Sequence, residues 1–227
     1  MRLLSNLWWR IVHLGFRLLY YELAFTYDLV SKVVSLGEWR DWQRTVFQHM
    51  PPSDDGLVLE LAHGTGDLQL DLLEHEYSTI GYDLSPYMGK LAKRKLLNQK
   101  LPANLVLGRA QALPFPNNRF RSVVSTFPTD FIFQSATLSE INRVLINQGS
   151  LLVVLSGTFE GTGPLRKVLE WLYRITGQRG IENHVEDTYK RIKRQLHGAG
   201  FDAKIVEETC SRSTALLVVA HKIVLPN

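Results

Sequence analysis

The stretch of sequence that decides the fold is LVLELAHGTGD, residues 57–67. Its first five residues are mostly apolar, as in a parallel strand that is covered on both faces. Gly64 and Gly66 follow, and glycines let the backbone turn sharply and approach a ligand without a Cβ in the way. Asp67 can then cap a helix that begins at Leu68. Because ligands of open α/β sheets bind at the carboxyl ends of strands, this strand–turn–helix unit predicts a nucleotide-like ligand over the turn.

Three residues bear on which nucleotide-like ligand the turn would hold. A dinucleotide fingerprint needs a third glycine three residues after the second, but that position is Gln69, which is too large for close helix–strand contact. Asp67 also places a negative charge where a pyrophosphate would bind. The ammonium and sulfonium groups of S-adenosylmethionine tolerate that charge better. A second predicted strand, residues 79–83, ends in Asp83, whose carboxylate can accept hydrogen bonds from a ribose diol.

Four motifs then follow one another along the chain. They are VLELAHGTG (58–66), GYDLSPYM (81–88), AQALPF (110–115) and EINRVL (140–145), the last followed by Gly149. In this order and spacing they resemble the class I S-adenosylmethionine-dependent methyltransferases. They are most similar to the methyltransferase type 11 group, which includes the ubiquinone/menaquinone C-methyltransferases. The resemblance extends over residues 21–157 and the C-terminal strand, and it implies the fold and the cofactor but says little about the methyl acceptor.

The resemblance also implies a set of residues that bind the cofactor. In the family pattern Leu84 and Met88 flank the adenine. Arg109 departs from that pattern, because many relatives carry an aspartate there for adenine; the Gln111 amide oxygen can accept from the adenine amine instead. His63 also departs, and it is either a contact of the methionine portion, an acid/base group, or a tolerated turn residue. The implied cofactor-binding residues are Glu60, Ala62, His63, Gly64, Gly66, Asp83, Leu84, Met88, Ala110, Gln111 and Thr126.

No catalytic pair emerges from the sequence, which agrees with the chemistry of a sulfonium donor. The methyl group is already activated, so the protein mainly aligns the acceptor and excludes water. Three residues are candidates for a catalytic role. Tyr27 matches a tyrosine that lies over the active site in the resembled group, and Asp130, after the fourth strand, could act as a base. His184, like Tyr189, lies where insertions line the acceptor pocket, and for each a packing or surface role is the alternative.

Residues 1–20 predict a basic amphipathic helix. Leucine, isoleucine and tryptophan recur at helical spacing, and basic and polar residues fall on one opposing stripe. Arg10 and Arg17 interrupt the apolar run well short of the roughly 20 residues that a membrane span needs. The segment also lacks the small-residue cleavage site of a signal peptide. The helix therefore binds a membrane interface, covers a lipophilic substrate, or packs on the domain.

Composition indicates a globular protein of a reducing compartment. The chain has 227 residues, of which 45% are hydrophobic and 21% are charged, enough for one α/β domain with a sizeable core. A net charge of +4 permits contact with anionic surfaces. Cys210 is the single cysteine, which excludes an intramolecular disulfide. The histidines show no metal-ligand spacing, so no metal site is predicted.

The predicted fold is a doubly wound α/β domain with a seven-stranded, mostly parallel sheet. An antiparallel hairpin of residues 201–206 and 214–221 closes that sheet. Residues 1–50 form a helical extension or lid, and residues 51–227 form the S-adenosylmethionine-binding methyltransferase domain. Within that domain, residues 157–200 include an insertion that lines the acceptor site.

The predicted function is methyl transfer from S-adenosylmethionine to a small, quinone- or lipid-like acceptor. We expect a cytoplasmic protein with peripheral membrane contact through residues 1–20. A non-catalytic, cofactor-binding scaffold of the same fold is one alternative, which Arg109 and His63 keep open. An RNA methyltransferase is another, although the basic run at residues 90–100 has no interleaved aromatic residues and a nucleic-acid partner is not favoured. A nicotinamide-dependent oxidoreductase is disfavoured by Gln69. The sequence leaves the acceptor atom and the oligomeric state open.

Overall fold

The computed structural model describes residues 37–159 and 185–223, which alternate between strands and helices. The helices are α1 (Trp39–Arg44), α2 (Asp67–Glu74), α3 (Pro86–Asn98), α4 (Ser135–Val144) and α5 (Val185–Gly198). The strands are β1 (Val58–Leu61), β2 (Thr79–Asp83), β3 (Leu105–Leu107), β4 (Phe120–Thr126), β5 (Leu145–Phe159), β6 (Phe201–Thr209) and β7 (Ser213–Lys222). Two 3-10 turns, Thr45–Gln48 and Asp130–Phe133, follow α1 and β4.

The strands form one seven-stranded sheet in the order β3-β2-β1-β4-β5-β7-β6. Strands β1 to β5 pair in parallel, and β7 pairs antiparallel with both β5 and β6. The predicted mostly parallel sheet with an antiparallel C-terminal hairpin is therefore confirmed. The chain reverses its direction of winding at β1, which lies between β2 and β4. This is the switch point at which ligands of doubly wound sheets bind.

Strand β1 is buried on both faces because helices cover each side of the sheet. Leu59 and Leu61 belong to a hydrophobic cluster that includes residues of α4 and α5. Val58, which points the other way, belongs to a second cluster with Trp42 of α1 and Leu68 of α2. A strand covered in this way needs apolar residues on both faces, which explains the short apolar run that predicted it.

The start of α2 differs from the prediction. Asp67 was expected to cap the helix, but it is the first helical residue, and Gly66 at φ 84° precedes it without a side-chain cap. The Asp67 carboxylate instead lies 2.7 Å from Nζ of Lys95 on α3. A residue in the first turn still places its negative charge at the helix N-terminus, where the dipole favours it.

Strand β5 begins before a turn-like stretch of sequence. Residues 147–150, Asn-Gln-Gly-Ser, are typical of a turn, but β5 already begins at Leu145. Gln148 has a φ of 60°, and the register with β4 shifts between Phe120 and Ser122. The turn-like sequence is accommodated as a bulge, because its backbone pairs with β4.

Several predictions fall on residues 1–36 and 160–184, outside the described residues. They include the amphipathic helix, most of the expected acceptor-site insertion, and the candidates Tyr27 and His184. Among the described helices, none has the length and apolar character needed to cross a membrane.

Candidate cofactor site

The turn after β1 has a left-handed backbone at three alternate residues. Ala62, Gly64 and Gly66 have φ values of 57°, 54° and 84°. A Cβ on Gly64 would meet no described atom within 4 Å, whereas one on Gly66 would lie 2.8 Å from the Cβ of Ala92 on α3. Gly64 therefore leaves an open backbone surface for a ligand, and Gly66 lets α3 approach. The left-handed alanine costs about 1–2 kcal/mol, a strain that the sequence analysis did not predict and that is typical of functional turns.

Asp83 joins this turn to the end of β2. One carboxylate oxygen accepts a hydrogen bond from the Gly64 backbone N–H at 2.9 Å, and the other accepts from the Ser85 N–H at 2.7 Å. Each oxygen keeps a further lone pair, so the fixed carboxylate can also accept from a ribose diol. The predicted proximity of the glycine turn and Asp83 is confirmed, and the pair fits the adenosyl portion of S-adenosylmethionine.

The start of α3 forms one rim of the site. Ser85 caps the helix by accepting from the Met88 N–H, and Pro86 occupies the first turn. Leu84 is 57% exposed, and Leu107, whose Cα pairs with that of Asp83 in the sheet, is 61% exposed. These two leucines offer an apolar surface next to the carboxylate. Met88 is buried in the core, and its low exposure does not show whether it contacts the adenine. That contact stays a prediction.

Glu60 and Gln69 form a buried polar contact beneath the turn. The Gln69 side-chain amide donates to Glu60 Oε2 at 2.7 Å and to Thr79 Oγ1 at 3.1 Å. Burial raises the pKa of Glu60 to about 8, and the Asp83 charge adds to that effect. Gln69 does not prevent close helix–strand contact, contrary to expectation, because Gly81 on β2 makes room for it: a Cβ there would lie 3.1 Å from Gln69 Cδ. A direct contact between Glu60 and the cofactor stays a prediction.

His63 packs inside the turn. Its side chain is 4% exposed, and Nδ1 lies 2.8 Å from the Gly64 carbonyl oxygen. Burial lowers the pKa of His63, although the nearby Asp83 carboxylate opposes this change. A ring whose Nδ1–H donates to a carbonyl is held in one tautomer and orientation. This geometry supports the interpretation of His63 as a turn residue, and a cofactor contact stays a prediction.

The loop after β3 carries Ala110 and Gln111. Ala110 is buried in the core. The Gln111 nitrogen donates to Gln134 Oε1 at 2.9 Å. Its amide oxygen is an acceptor of the kind that an adenine amine needs. Arg109 is exposed, and its carbonyl accepts from the Tyr82 hydroxyl at 3.4 Å. A contact between Gln111 and the adenine amine stays a prediction.

Helix α1 covers the carboxyl end of β4, a contact that the sequence analysis missed. Gln43 donates from Nε2 to Thr126 Oγ1 at 2.9 Å. Phe127, the next residue, has a φ of 50°, and its ring centroid lies 4.1 Å from that of Trp39. Asp130, the candidate base, is exposed at the start of the following 3-10 turn. The sequence predicted a helical extension over residues 1–50, but it did not indicate which strand α1 covers.

Tyr189 lies away from this edge. It is half-buried on α5 and lines a surface groove with Ile205 and Glu207 of β6. Burial raises its pKa, and the Glu207 charge adds to the effect. Because β6 is the outer strand, four places from β1 in the sheet, the structure does not bring Tyr189 to the glycine turn.

Comparisons with known proteins agree with this geometry. A family model described as the ubiE/COQ5 methyltransferase family matches residues 16–176. A demethylmenaquinone methyltransferase from Thermus thermophilus is 32% identical over 161 residues, which are 70% of this chain and 71% of that protein. A ubiquinone/menaquinone biosynthesis C-methyltransferase from Shewanella oneidensis is 30% identical over 162 residues, 69% of this chain and 62% of that protein.

Solved structures share the fold at low sequence identity. A putative S-adenosylmethionine-dependent methyltransferase from Methanococcus maripaludis has a TM-score of 0.63 and 16% identity, over 89% of this chain and 93% of that one. Phosphoethanolamine N-methyltransferase 2 from Haemonchus contortus, in complex with S-adenosylmethionine, has a TM-score of 0.59 and 17% identity, over 83% of this chain and 53% of that one.

The family match, the sheet order and the contact between the glycine turn and Asp83 lead to one assignment. The cofactor is S-adenosylmethionine, and the enzyme class is that of the one-carbon transferases. The chain belongs to the ubiE/COQ5 methyltransferase family of S-adenosylmethionine-dependent methyltransferases.

Proposed function

We propose that this methyltransferase acts on a lipophilic, quinone-like acceptor and methylates one of its carbon atoms. The names of the relatives from Thermus thermophilus and Shewanella oneidensis support this acceptor class. The main structural support for cofactor binding at this site is the 2.9 Å hydrogen bond from the Gly64 backbone N–H to the Asp83 carboxylate. It holds an acid of fixed orientation beside an open backbone turn, which is the arrangement that an adenosyl group needs.

We assign the following roles to the residues of the site. Asp83 accepts from the ribose, the Leu84 side chain covers one face of the adenine, and the Gln111 oxygen accepts from its amine. Thr126 lies at the end of β4, where the methionine portion would extend. The cofactor, when bound, supplies a methyl group that its sulfonium has already activated.

The aromatic residues Trp39 and Phe127 close the other side of the site. Their rings are in contact at the carboxyl end of β4. Apolar rings at this place exclude water and give a quinone ring a surface on which to lie. Because the methyl group is already activated, the main catalytic contribution of the protein is to orient the acceptor. Tyr27, Asp130 and His184 stay candidates for a group that removes a proton from the acceptor.

We further propose that residues 1–50 and 157–200 complete the acceptor side. The described part of the first segment supports this, because α1 lies against the ends of β4 and β5. Residues 1–20 precede α1, and as a basic amphipathic helix they would bring the site to the membrane in which lipophilic quinones dissolve. Flotation with anionic liposomes tests this contact. Binding that survives both deletion of residues 1–20 and high salt would contradict it.

Titration calorimetry and a labelled-methyl assay test the function itself. Asp83→Ala should weaken binding of S-adenosylhomocysteine by roughly 1–3 kcal/mol, the scale of lost hydrogen bonds and an unmet partner. Asp202→Ala, an exposed aspartate at the outer strand, is the matched control and should bind normally. With a labelled methyl donor, a short-chain demethylated quinol should acquire the label on carbon. An enzyme that binds the cofactor but labels no quinol would refute the acceptor class.

A further inference from the structure

The Gln43 side chain presents a buried oxygen that lacks a partner among the described residues. Gln43 is 7% exposed, and its Nε2 is used by Thr126 Oγ1 at 2.9 Å. Its Oε1 is inaccessible to solvent and accepts no hydrogen bond from residues 37–159 or 185–223. Buried acceptors without a donor are uncommon in native proteins and are expensive, so this oxygen points to a donor that is supplied from outside those residues.

Helix α1 is held firmly, so the position of this oxygen is defined. The Trp42 indole N–H donates to Ser213 Oγ at 2.8 Å. Its ring also lies against Gly157 of β5, where any Cβ would clash with it. On the other side of the helix, Arg40 and Arg44 both contact the buried Asp71 carboxylate, at 2.7 and 2.8 Å. These contacts on both flanks fix the helix, and with it the place of Gln43 beside Thr126 of β4.

The order of the strands indicates which part of the cofactor reaches Gln43. Asp83 ends β2 on one side of β1, and Thr126 ends β4 on the other side. Neighbouring strands are about 4.8 Å apart, so the two residues end strands about 10 Å apart. A cofactor whose ribose is held by Asp83 and whose chain crosses the Gly64 turn therefore extends its amino-acid end toward Gln43.

We propose that Gln43 Oε1 accepts a hydrogen bond from the α-ammonium of the methionine portion of S-adenosylmethionine. The inference depends on the cofactor assignment and adds a residue of α1 to its site. In the roles proposed above, Gln111 and Asp83 accept from the adenine amine and the ribose hydroxyls, which leaves the ammonium as the remaining donor of the cofactor. The oxygen and nitrogen of an amide are assigned from the hydrogen bonds, and the opposite orientation would offer the nitrogen to the carboxylate of the same portion. The experiment separates these two arrangements.

Calorimetry with two ligands tests the proposal. The ligands are S-adenosylhomocysteine and its desamino analogue, which keeps the carboxylate and lacks the ammonium. Gln43→Leu should weaken binding of the first by about tenfold or more, the scale of one hydrogen bond to a charged group, and should leave the second almost unchanged. Gln48→Leu, an exposed glutamine in the adjoining 3-10 turn, is the matched control and should change neither affinity.

The contrary results are distinct. An equal loss of affinity for both ligands would mean that Gln43 contacts the carboxylate or acts only by packing. No loss of affinity for either ligand would remove Gln43 from the site. Both results overturn the proposal.

A second variant, Gln43→Glu, keeps the shape and an acceptor, and it guards against a leucine variant that fails to fold. Its preference for S-adenosylhomocysteine over the desamino analogue should rise, because its charge attracts the ammonium and repels a lone carboxylate; an unchanged preference overturns the proposal. A wild-type protein that binds neither ligand would instead overturn the cofactor assignment.

Discussion

Replacement of Glu60 by glutamine should stabilise the folded protein at alkaline pH and leave it unchanged near pH 4.5. Glu60 is 1% exposed, and its side chain accepts from Gln69 inside the interface of β1 and α2. Desolvation of a buried carboxyl disfavours its charged form, which raises the pKa of Glu60 from 4.5 to about 8. Glutamine has nearly the same shape, keeps an oxygen for Gln69, and carries no ionisable proton.

The sign and size of the effect follow from proton linkage. Between pH 4.5 and about 8 the folded state holds a proton on Glu60 that the unfolded state has released. The free energy of unfolding therefore falls as pH rises through this interval. At about 1.4 kcal/mol per pH unit, the full loss above pH 8 is on the order of 5 kcal/mol. Relaxation of the site reduces this ceiling, so we expect Glu60→Gln to gain about 2–4 kcal/mol at pH 8.

Urea unfolding of the wild type and the variant at half-unit steps from about pH 3 to 8.5 measures this difference. Other titrating groups contribute equally to the free energy of unfolding of both proteins, so their contributions cancel in the difference. Glu140→Gln is the matched control with the opposite sign. Its hydrogen bonds with Arg143 lower the pKa of Glu140, so that carboxylate stabilises the fold at neutral pH, and the variant should be less stable there, with the deficit vanishing as pH falls through the acid range. A pH-independent difference between Glu60→Gln and the wild type would refute the reasoning.

Two further variants test the scaffold of the site, both by urea unfolding. Gly66→Ala should destabilise the fold by on the order of 3 kcal/mol, because φ at 84° strains an L-residue and the new Cβ would lie 2.8 Å from that of Ala92. Asp71→Asn should cost on the order of 2–3 kcal/mol, since a fully buried carboxylate loses its charge beside Arg40 and Arg44. This loss is no larger than the smallest losses found when a fully buried ion pair is broken. The reason is that the two arginine side chains are 36% and 43% exposed, so that solvent screens their charges.

Matched substitutions show whether these effects are local. Gly89→Ala lies within α3, where a Cβ meets nothing within 4 Å, and it should stabilise the helix by about 0.5–1 kcal/mol. Asp41→Asn removes an exposed acid that lies 4.0 Å from Arg44 and should change stability by less than about 0.5 kcal/mol. If Gly66→Ala behaved like Gly89→Ala, the account of the turn would be wrong. If Asp71→Asn behaved like Asp41→Asn, the anchoring of α1 would be wrong.

Local sequence signals predicted the strand–turn–helix unit and the acid of β2 correctly. The apolar run of β1, the glycines at 64 and 66, and Asp83 at the end of β2 each act within a few residues of their own position. The sequence analysis wrongly expected Gln69 to be too large for close helix–strand contact. The space for its side chain is provided by Gly81, which lies on β2 and not on the same helix. Side-chain size alone does not reveal how much space lies opposite a residue.

The sequence by itself determined the alternation of strands and helices, the cofactor class and the acid that ends β2, because periodicity and turn chemistry are local properties of the chain. Tertiary structure alone decided that Asp83 reaches the Gly64 N–H, that Glu60 is desolvated enough to hold a proton near neutral pH, and that α1 brings Gln43 to Thr126. Those contacts join residues 19 and 83 positions apart in the chain. They depend on which strands pair and which helix covers their ends, and this is settled by burial of the whole sheet rather than by any one segment.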